Sequence, residues 1–408
     1  MVVKLFFILG GILMVRTVGT TVRGIRTPIV KEGDDIIDIV VDSVLEAAKQ
    51  ENIEFNNRDI VGITESLVAR AQGNYANEKD IVKDINNKFK NDIGVVFPIL
   101  SRNRFSIVLK SIAMTGKKVY LILNYPTDEV GNQLMDTEKM YELEINPYAD
   151  VLSESEYRKL FGENVCHPFT GIDYIKFYKD LAINNNIEIY LSNDPKTVLK
   201  YTEDVLVANI HNRKRTKEIL KKAGAKTVLG LDDILTEPVD NSGYNPEYGL
   251  LGSNLSTETQ VKLFPRNSQY YVDEIQKKLK EKTGKTLEIM IYGDGAFKDP
   301  VGRIWELADP VVSPGYTSGL EGTPNEIKLK YLADNELRDL KGKEAAKAIK
   351  DKIDKKDKDL VAHKESLGTT PRRITDLLGS LCDLTSGSGD KGTPVVLIQG
   401  YFDNFATE

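Results

Sequence analysis

Apolar residues recur at helical spacing in residues 31–50, KEGDDIIDIVVDSVLEAAKQ, directly after a Gly-Asp-Asp start. The pattern predicts a helix that begins near Asp34. Asp34 and Asp35 would lie at the positive end of this helix, where carboxylates cap free N–H groups and complement the helix dipole. We therefore expect a structural rather than a catalytic role for this acidic pair.

A short apolar run at residues 60–63 is followed by Thr64, Glu65 and Ser66, and then by a second helical pattern. This order predicts a strand that turns directly into a helix. Polar side chains at the carboxyl end of such a strand commonly face a ligand. Glu65 and Ser66 are therefore candidate binding residues.

Short β-rich runs alternate with helical runs between about residues 97 and 240. Alternation of this kind indicates a parallel α/β layer with crossover helices. We therefore predict that residues 97–240 form an inserted α/β subdomain, and that residues 1–96 and 241–408 form the two parts of a core. The motif HNRKRT, at 211–216, is predicted to lie between a strand and a helix. It can hold an anion at the helix N-terminus, or it can be a solvated basic turn.

Charge and cysteine content exclude several classes of protein. The chain has 408 residues with 55 basic and 61 acidic side chains, so it has no excess of positive charge for a nucleic-acid backbone. Cys166 and Cys382 are far apart and form no paired motif, which is typical of a reducing compartment. The apolar run at the N-terminus is short for a membrane span. We expect a cytoplasmic protein without a nucleic-acid or membrane partner.

An apolar strand pattern at residues 287–291 is followed by the carboxylate of Asp294 and then by a glycine. This position suits a divalent cation, since a buried charge needs a partner. Asp299, Glu306 and Asp309 offer further oxygen ligands, although each alone is more typical of a turn or a surface. The three histidines are scattered, which does not support a histidine metal site or a Ser-His-Asp triad.

A glycine-rich stretch near the C-terminus, SGSGDKG at 386–392, precedes an apolar run at 395–398. Taken alone, it is most simply a hairpin connector. Serine-glycine backbone in turn conformations can also form an anion-binding nest without a helix behind it. Both interpretations stay open on the residues alone.

Five blocks resemble, in the same order, those of coenzyme F-420-0:L-glutamate ligases, the GTP-dependent enzymes that add glutamate to a deazaflavin precursor. They are TPIVKEGDDI, DIVGITESLVARAQGN, YGLLGSN, TGKTLEIMIYGD and SGSGDKGTPVVLIQG. The resemblance covers residues 20–75, 247–319 and 371–402. It implies a two-lobed α+β fold of the gamma-glutamyl-ligase type, with the α/β subdomain as an insertion, and a homodimer that binds nucleotide near the subunit interface.

The resemblance also implies site residues at matching positions. GTP, the implied co-substrate, would be bound by Thr27, Pro28, Ile29, Val30, Glu65, Ser66, Arg70, Asn254, Gly387, Ser388, Gly389 and Gly392. Magnesium or manganese would be held by Asp294, with Asp299 and Asp390 as further candidates. The chain departs from the family at three positions: Arg70 replaces a lysine, Leu251 replaces a metal-binding aspartate and Gly295 replaces a hydroxyl ligand.

The reaction that the resemblance implies is the ligation of L-glutamate to a small-molecule carboxylate acceptor through an acyl phosphate. A phosphate clamp with cations can supply most of such catalysis, so a site without histidine is chemically adequate. The leucine at position 251 leaves an alternative, a nucleotide-binding regulatory protein of the same fold that has lost ligase activity. A ligase whose acceptor is not the deazaflavin is a further possibility.

Overall fold

A computed structural model of the chain describes residues 17–168, 170–293, 296–298, 305–307, 313–360, 363–366, 373–386 and 391–403. The strands are β1 (Thr21–Ile25), β2 (Ile60–Thr64), β3 (Tyr75–Asn77), β4 (Ile93–Val96), β5 (Val119–Leu123), β6 (Leu152–Ser153), β7 (Ile187–Leu191), β8 (Asp204–Val207), β9 (Thr227–Gly230), β10 (Asn254–Thr257), β11 (Gln260–Lys262), β12 (Glu288–Tyr292), β13 (Ala296–Lys298), β14 (Trp305–Leu307), β15 (Gly315–Tyr316) and β16 (Val395–Gln399). The α-helices are α1 (Ile36–Glu51), α2 (Glu65–Ala71), α3 (Glu78–Lys88), α4 (Phe105–Met114), α5 (Thr137–Glu142), α6 (Glu154–Phe161), α7 (Tyr174–Lys179), α8 (Arg213–Lys222), α9 (Ser268–Thr283), α10 (Leu329–Asp334), α11 (Gly342–Asp354) and α12 (Ile374–Ser386). Short 3₁₀ segments lie at Pro195–Lys200, Leu231–Asp233, Ser318–Leu320 and Lys364–Ser366.

The core predicted from the two ends of the chain is a five-stranded mixed sheet with the order β1-β16-β2-β12-β15. Strands β2 and β12 are parallel, whereas the other neighbours in this sheet are antiparallel. Helices α1 and α9 cover one face and α12 covers the other. Strands β2, β12 and β16 are apolar and buried almost throughout, as expected of strands covered on both faces. The α+β class is confirmed.

The start of helix α1 confirms the predicted role of the acidic pair. Asp35 is the N-cap residue, and its side chain accepts hydrogen bonds from the backbone N–H groups of Ile37 and Asp38. Asp34 accepts a hydrogen bond from the backbone N–H of Lys31 in the preceding turn. Both carboxylates are therefore used in local structure. Among the described residues, no helix combines the length and the apolar character that a membrane span needs.

The predicted α/β layer is a six-stranded sheet with the order β6-β7-β5-β4-β8-β9. All its neighbouring strands are parallel except the edge strand β6, which is antiparallel to β7. Its first strand is β4, so the layer begins before the predicted boundary at residue 97. The strand order reverses at β4, because β5 and β7 lie on one side of it and β8 and β9 lie on the other. In open α/β sheets, ligands bind outside the carboxyl ends of the strands at such a switch point.

The six-stranded sheet shares a hydrophobic core with a small three-stranded sheet, β10-β11-β3, which belongs to the predicted core. One buried cluster joins the side chains of α3, α4, β4, β5 and β7 to Ala76, Leu250, Leu251 and Val261. Leu251 is 1% exposed within this cluster. The predicted insert is therefore packed into the rest of the molecule, and position 251 is a core position.

Truncating Leu251 tests this packing. Leu251→Ala should lower the free energy of unfolding by about 2–5 kcal/mol, the usual cost of removing a buried leucine side chain. Leu255→Ala, four residues away on β10, is the matched control, because Leu255 is 38% exposed and its substitution should change stability little. Urea denaturation of both variants measures the difference. Equal, small effects would show that Leu251 is not part of a packed core.

Candidate functional site

The register of the five-stranded sheet brings several predicted site segments to one edge. Ile25, at the end of β1, pairs with Val395, at the start of β16, and Val395 also pairs with Ile63 near the end of β2. Ile63 pairs in turn with Ile291 near the end of β12. The residues that follow β1, β2 and β12 and those that precede β16 therefore leave the sheet at the same edge. Thr64 donates its backbone N–H to Pro394 O over 3.0 Å, which fixes this edge further.

A buried ion pair lies at this edge. Glu65 begins α2, and its Oε1 is 3.2 Å from Nζ of Lys262 on β11. The same Nζ donates to Oγ of Ser66 over 2.5 Å. The side chains of Glu65 and Lys262 are only 13% and 11% exposed. The ammonium group of Lys262, which the sequence analysis did not identify, therefore bridges the two candidate binding residues Glu65 and Ser66.

Asn254 lies beside Lys262 on the three-stranded sheet. The two residues are directly opposite in the antiparallel pairing of β10 and β11, so their side chains emerge on the same face of the sheet. Both strands are held by β3, whose Tyr75 pairs with Lys262. The predicted nucleotide ligand Asn254 is thus brought toward Glu65 and Ser66.

Two acceptor oxygens in this group have no hydrogen-bond partner among the described residues. They are Oε2 of Glu65 and Oδ1 of Asn254, and both atoms are buried. A buried acceptor without a partner costs about 1–3 kcal/mol. The arrangement therefore suits a ligand that brings N–H or O–H donors, or a cation, to these oxygens.

Two further charged residues extend the ion pair into a cluster. Arg104 comes from the loop after β4, and Asp383 comes from α12. Burial lowers the pKa of Arg104, although the carboxylates of Glu65 and Asp383 act in the opposite direction. Burial raises the pKa of Glu65 against the opposing charges of Lys262 and Arg104, and it raises the pKa of Asp383 against Arg104. We call Glu65, Lys262, Arg104 and Asp383 the charge cluster.

Tyr292 lies next to the charge cluster at the end of β12. Its backbone pairs with Thr64, and its side chain is buried. Burial raises the pKa of Tyr292, and the nearby carboxylates of Asp383 and Glu65 add to the shift. The phenol therefore keeps its proton at neutral pH.

The sequence model of the family F420-0:gamma-glutamyl ligase matches residues 24–400. The chain belongs to this family. The match runs through the predicted insert as well as both parts of the core, so it does not distinguish the predicted insert from the core. Curated proteins were compared as well, and none of them matches. A ligase reaction on small molecules is therefore the general function that the family supports.

The other nucleotide-binding positions that the family resemblance implies differ in exposure and in their distance from the charge cluster. Thr27 is half-buried and Pro28 is exposed, whereas Ile29 is 82% exposed and Val30 is buried against α1 and β1. Arg70 is exposed in the last turn of α2, about 7.5 Å along the helix from Glu65. The structure thus joins Glu65, Ser66 and Asn254 in one group, and it does not bring Arg70 into the charge cluster.

The predicted metal ligands of the ligase and most of its glycine-rich loop cannot be placed. The residues outside the described ranges are Asp294, Asp299, Asp390, Gly387, Ser388 and Gly389. Gly392 is described, and its φ of 60° is in the left-handed region that favours glycine. Leu251 does not fit a metal site, because it offers no oxygen ligand and is buried in the hydrophobic core. Within the described ranges, no group of three or more His, Cys, Asp or Glu side chains is arranged to hold a metal ion.

The basic motif at residues 211–216 begins in the turn after β8, but its last four residues form the start of α8 rather than a connection before it. The anion at this turn is the chain's own Glu129. Its carboxylate accepts hydrogen bonds from the backbone N–H groups of Ile210, His211 and Asn212 over 2.5, 3.3 and 3.4 Å. The N–H groups of the turn are therefore satisfied internally, which favours a structural role for the motif.

Removing Lys262 should leave the Glu65 carboxylate buried without its counter-charge. Lys262→Met should lower the free energy of unfolding at pH 8 by about 3–5 kcal/mol, the usual cost of breaking a buried pair. Since Lys262 lowers the pKa of Glu65, its loss should raise that pKa further. As pH falls, the Glu65 carboxyl of the folded variant then takes up a proton before that of the unfolded chain, whose pKa is about 4.3. Proton binding stabilises the folded variant, so the loss of unfolding free energy should be smaller at pH 5 than at pH 8.

Urea denaturation at pH 8 and pH 5 measures both deficits. Lys277→Met is the matched control, because the Lys277 side chain is 63% exposed and its loss should change stability little at either pH. Combining Lys262→Met with Glu65→Gln should recover part of the lost stability at pH 8. A deficit of the same size at both pH values would show that Glu65 is not buried as an ionised partner of Lys262.

Proposed function

We propose that the protein is a GTP-dependent ligase that joins L-glutamate to coenzyme F-420-0 or a related carboxylate acceptor through an acyl phosphate. The observation that carries the proposal is the meeting of family-matching segments at one sheet edge, beside a buried charge cluster. Such a site presents cations and acceptors together, as phosphoryl transfer requires. The proposal includes a cytoplasmic homodimer, as the family resemblance implies.

The proposed reaction has two steps. A carboxylate oxygen of the acceptor attacks the γ-phosphorus of GTP, the bond to the β-phosphate oxygen breaks, and GDP leaves. The glutamate nitrogen then attacks the acyl carbon, loses its proton and expels inorganic phosphate. Both steps place negative charge on phosphate oxygens, so the cationic groups at the site stabilise them.

The chain's own residues supply binding groups for this reaction. Lys262 holds Oε1 of Glu65 and Oγ of Ser66, which leaves Oε2 of Glu65 as a free acceptor beside Asn254. These acceptors suit the N–H groups of a guanine base, in line with the nucleotide role that the resemblance implies. Magnesium or manganese would neutralise phosphate charge when bound, and Asp294 is the proposed ligand, with Asp299 and Asp390 as further candidates.

Mass spectrometry of a reaction mixture tests the proposal directly. The purified protein is incubated with GTP, magnesium or manganese, L-glutamate and coenzyme F-420-0, and in parallel with a small-metabolite extract as a source of other acceptors. The expected result is the gain of a glutamyl unit that requires GTP. Omitting GTP is the control. The absence of a product with every acceptor would contradict the proposed ligase.

The burial of Leu251 favours a second candidate, a nucleotide-binding regulatory protein of the same fold. Where the resemblance implies a metal-binding aspartate, the chain has an aliphatic side chain in a packed core. The same incubation separates the two candidates when GTP binding is measured by calorimetry. GTP binding without product or phosphate release would support the regulatory protein, and measurable turnover would exclude it.

A further inference from the structure

The α/β layer approaches the candidate site through the loop at residues 97–104. Residues 97–104 follow β4, the central strand at the switch point of the six-stranded sheet. Asn103 O accepts a hydrogen bond from the backbone N–H of Leu255 over 2.7 Å, which ties the loop to β10. Oγ of Ser101 accepts one from the backbone N–H of Arg104 over 3.0 Å. The backbone N–H of Leu100 donates to Oδ2 of Asp128 over 2.8 Å, so the loop is fixed to both the α/β layer and the three-stranded sheet.

Arg104 at the end of this loop faces the candidate site rather than the solvent. Its Nη1 is 3.5 Å from the carbonyl oxygen of Gly252, two residues before the predicted nucleotide ligand Asn254. The carboxylates of Glu65 and Asp383 both act on its charge and raise its pKa against the effect of burial. Arg104 therefore links the loop after β4 to the turn before β10 and to the charge cluster.

A guanidinium group in this position has a chemistry that the lysine of the charge cluster lacks. Its planar fork forms two parallel hydrogen bonds with a phosphate or a carboxylate, and it stays charged when buried. Glu65 and Asp383 balance the charges of Lys262 and Arg104, so the described cluster is formally neutral.

We propose that Arg104 binds an anionic group of a substrate, so that the inserted α/β subdomain forms part of the ligase site. The inference rests on the proposed function. Three anions share the required chemistry: a phosphate of GTP, the carboxylate of the acceptor and a carboxylate of L-glutamate. The substrate whose binding depends on Arg104 identifies which of these it is.

Steady-state kinetics of three variants test the inference. Arg104→Ala should raise KM for one of the three substrates roughly tenfold to a hundredfold, as expected for the loss of a charge-assisted hydrogen bond. KM for the other two should stay within about twofold. Arg104→Lys should recover the charge but not the paired hydrogen bonds, and should lie between Arg104→Ala and the wild type. Arg102→Ala is the matched control, because Arg102 is an exposed arginine of the same loop.

The outcomes separate a binding role from a structural one. A variant of Arg104 that keeps its melting temperature but raises KM for one substrate supports the inference, and the identity of that substrate names the anion. Unchanged KM values for all three substrates in Arg104→Ala, as in Arg102→Ala, overturn it. If Arg104→Ala does not fold, Arg104→Lys decides in the same way.

A wild type without turnover separates the two proposals. If the wild type binds GTP without turnover, the ligase proposal fails, and calorimetry with GTP, coenzyme F-420-0 and L-glutamate in turn decides the inference. Weaker binding of one of the three in Arg104→Ala than in Arg102→Ala would support it, and equal affinities for all three would overturn it. A wild type that neither turns over nor binds any of the three would overturn both.

Discussion

The insertion of β16 between β1 and β2 is the constraint on which the candidate site depends. This strand comes from the C-terminal end of the chain and pairs on both sides with strands from the N-terminal part. Its register sets Val395 beside both Ile25 and Ile63, so the turns after β1 and β2 and the chain before β16 share one edge. Val395 and Leu397 pack on the face covered by α1 and α9, and Val396 and Ile398 pack on the face covered by α12, so a shift by one residue would exchange the two sets. Both cores would have to repack, which disfavours the shift and holds the geometry of the site.

The second constraint is the hydrophobic core that the α/β layer shares with the three-stranded sheet. Val261 and Leu263 flank Lys262 in sequence and point into that core, while Lys262 points the other way toward Glu65. The alternation along β11 thus holds the ammonium group in place by burying its neighbours. Leu251 contributes to the same core, which gives a physical reason for an apolar residue at a position where the resemblance implies a carboxylate. An ionised aspartate there would be buried among aliphatic side chains.

The secondary structure was largely predictable because its signals are local. The capping aspartate before α1, the strand that turns into α2 at Glu65 and the alternation that became the six-stranded sheet all follow from neighbouring residues. The charge cluster was not predictable in the same way. Lys262 and Asp383 lie far from Glu65 in the chain and carry no motif. The alternation of Val261, Lys262 and Leu263 was the available signal, but it predicts only that Lys262 faces away from a core. Arg104 was not predicted either, because it reaches the cluster through packing between two sheets that no local pattern encodes.

The placement of Arg104 changes the meaning of the predicted insert. A subdomain that only covered the surface would not need to place a largely buried cation next to the three-stranded sheet and within the field of two carboxylates. Burying the Glu65–Lys262 pair costs several kcal/mol per ion, and mutual attraction offsets that cost only when the geometry is good. Three separate parts of the fold supply the charge cluster: α2 with β11, the loop after β4, and α12. Because these parts lie far apart in the sequence, the charge cluster forms only when the α/β layer and the five-stranded sheet are packed together. The packing of the two sheets therefore determines the geometry of the cluster.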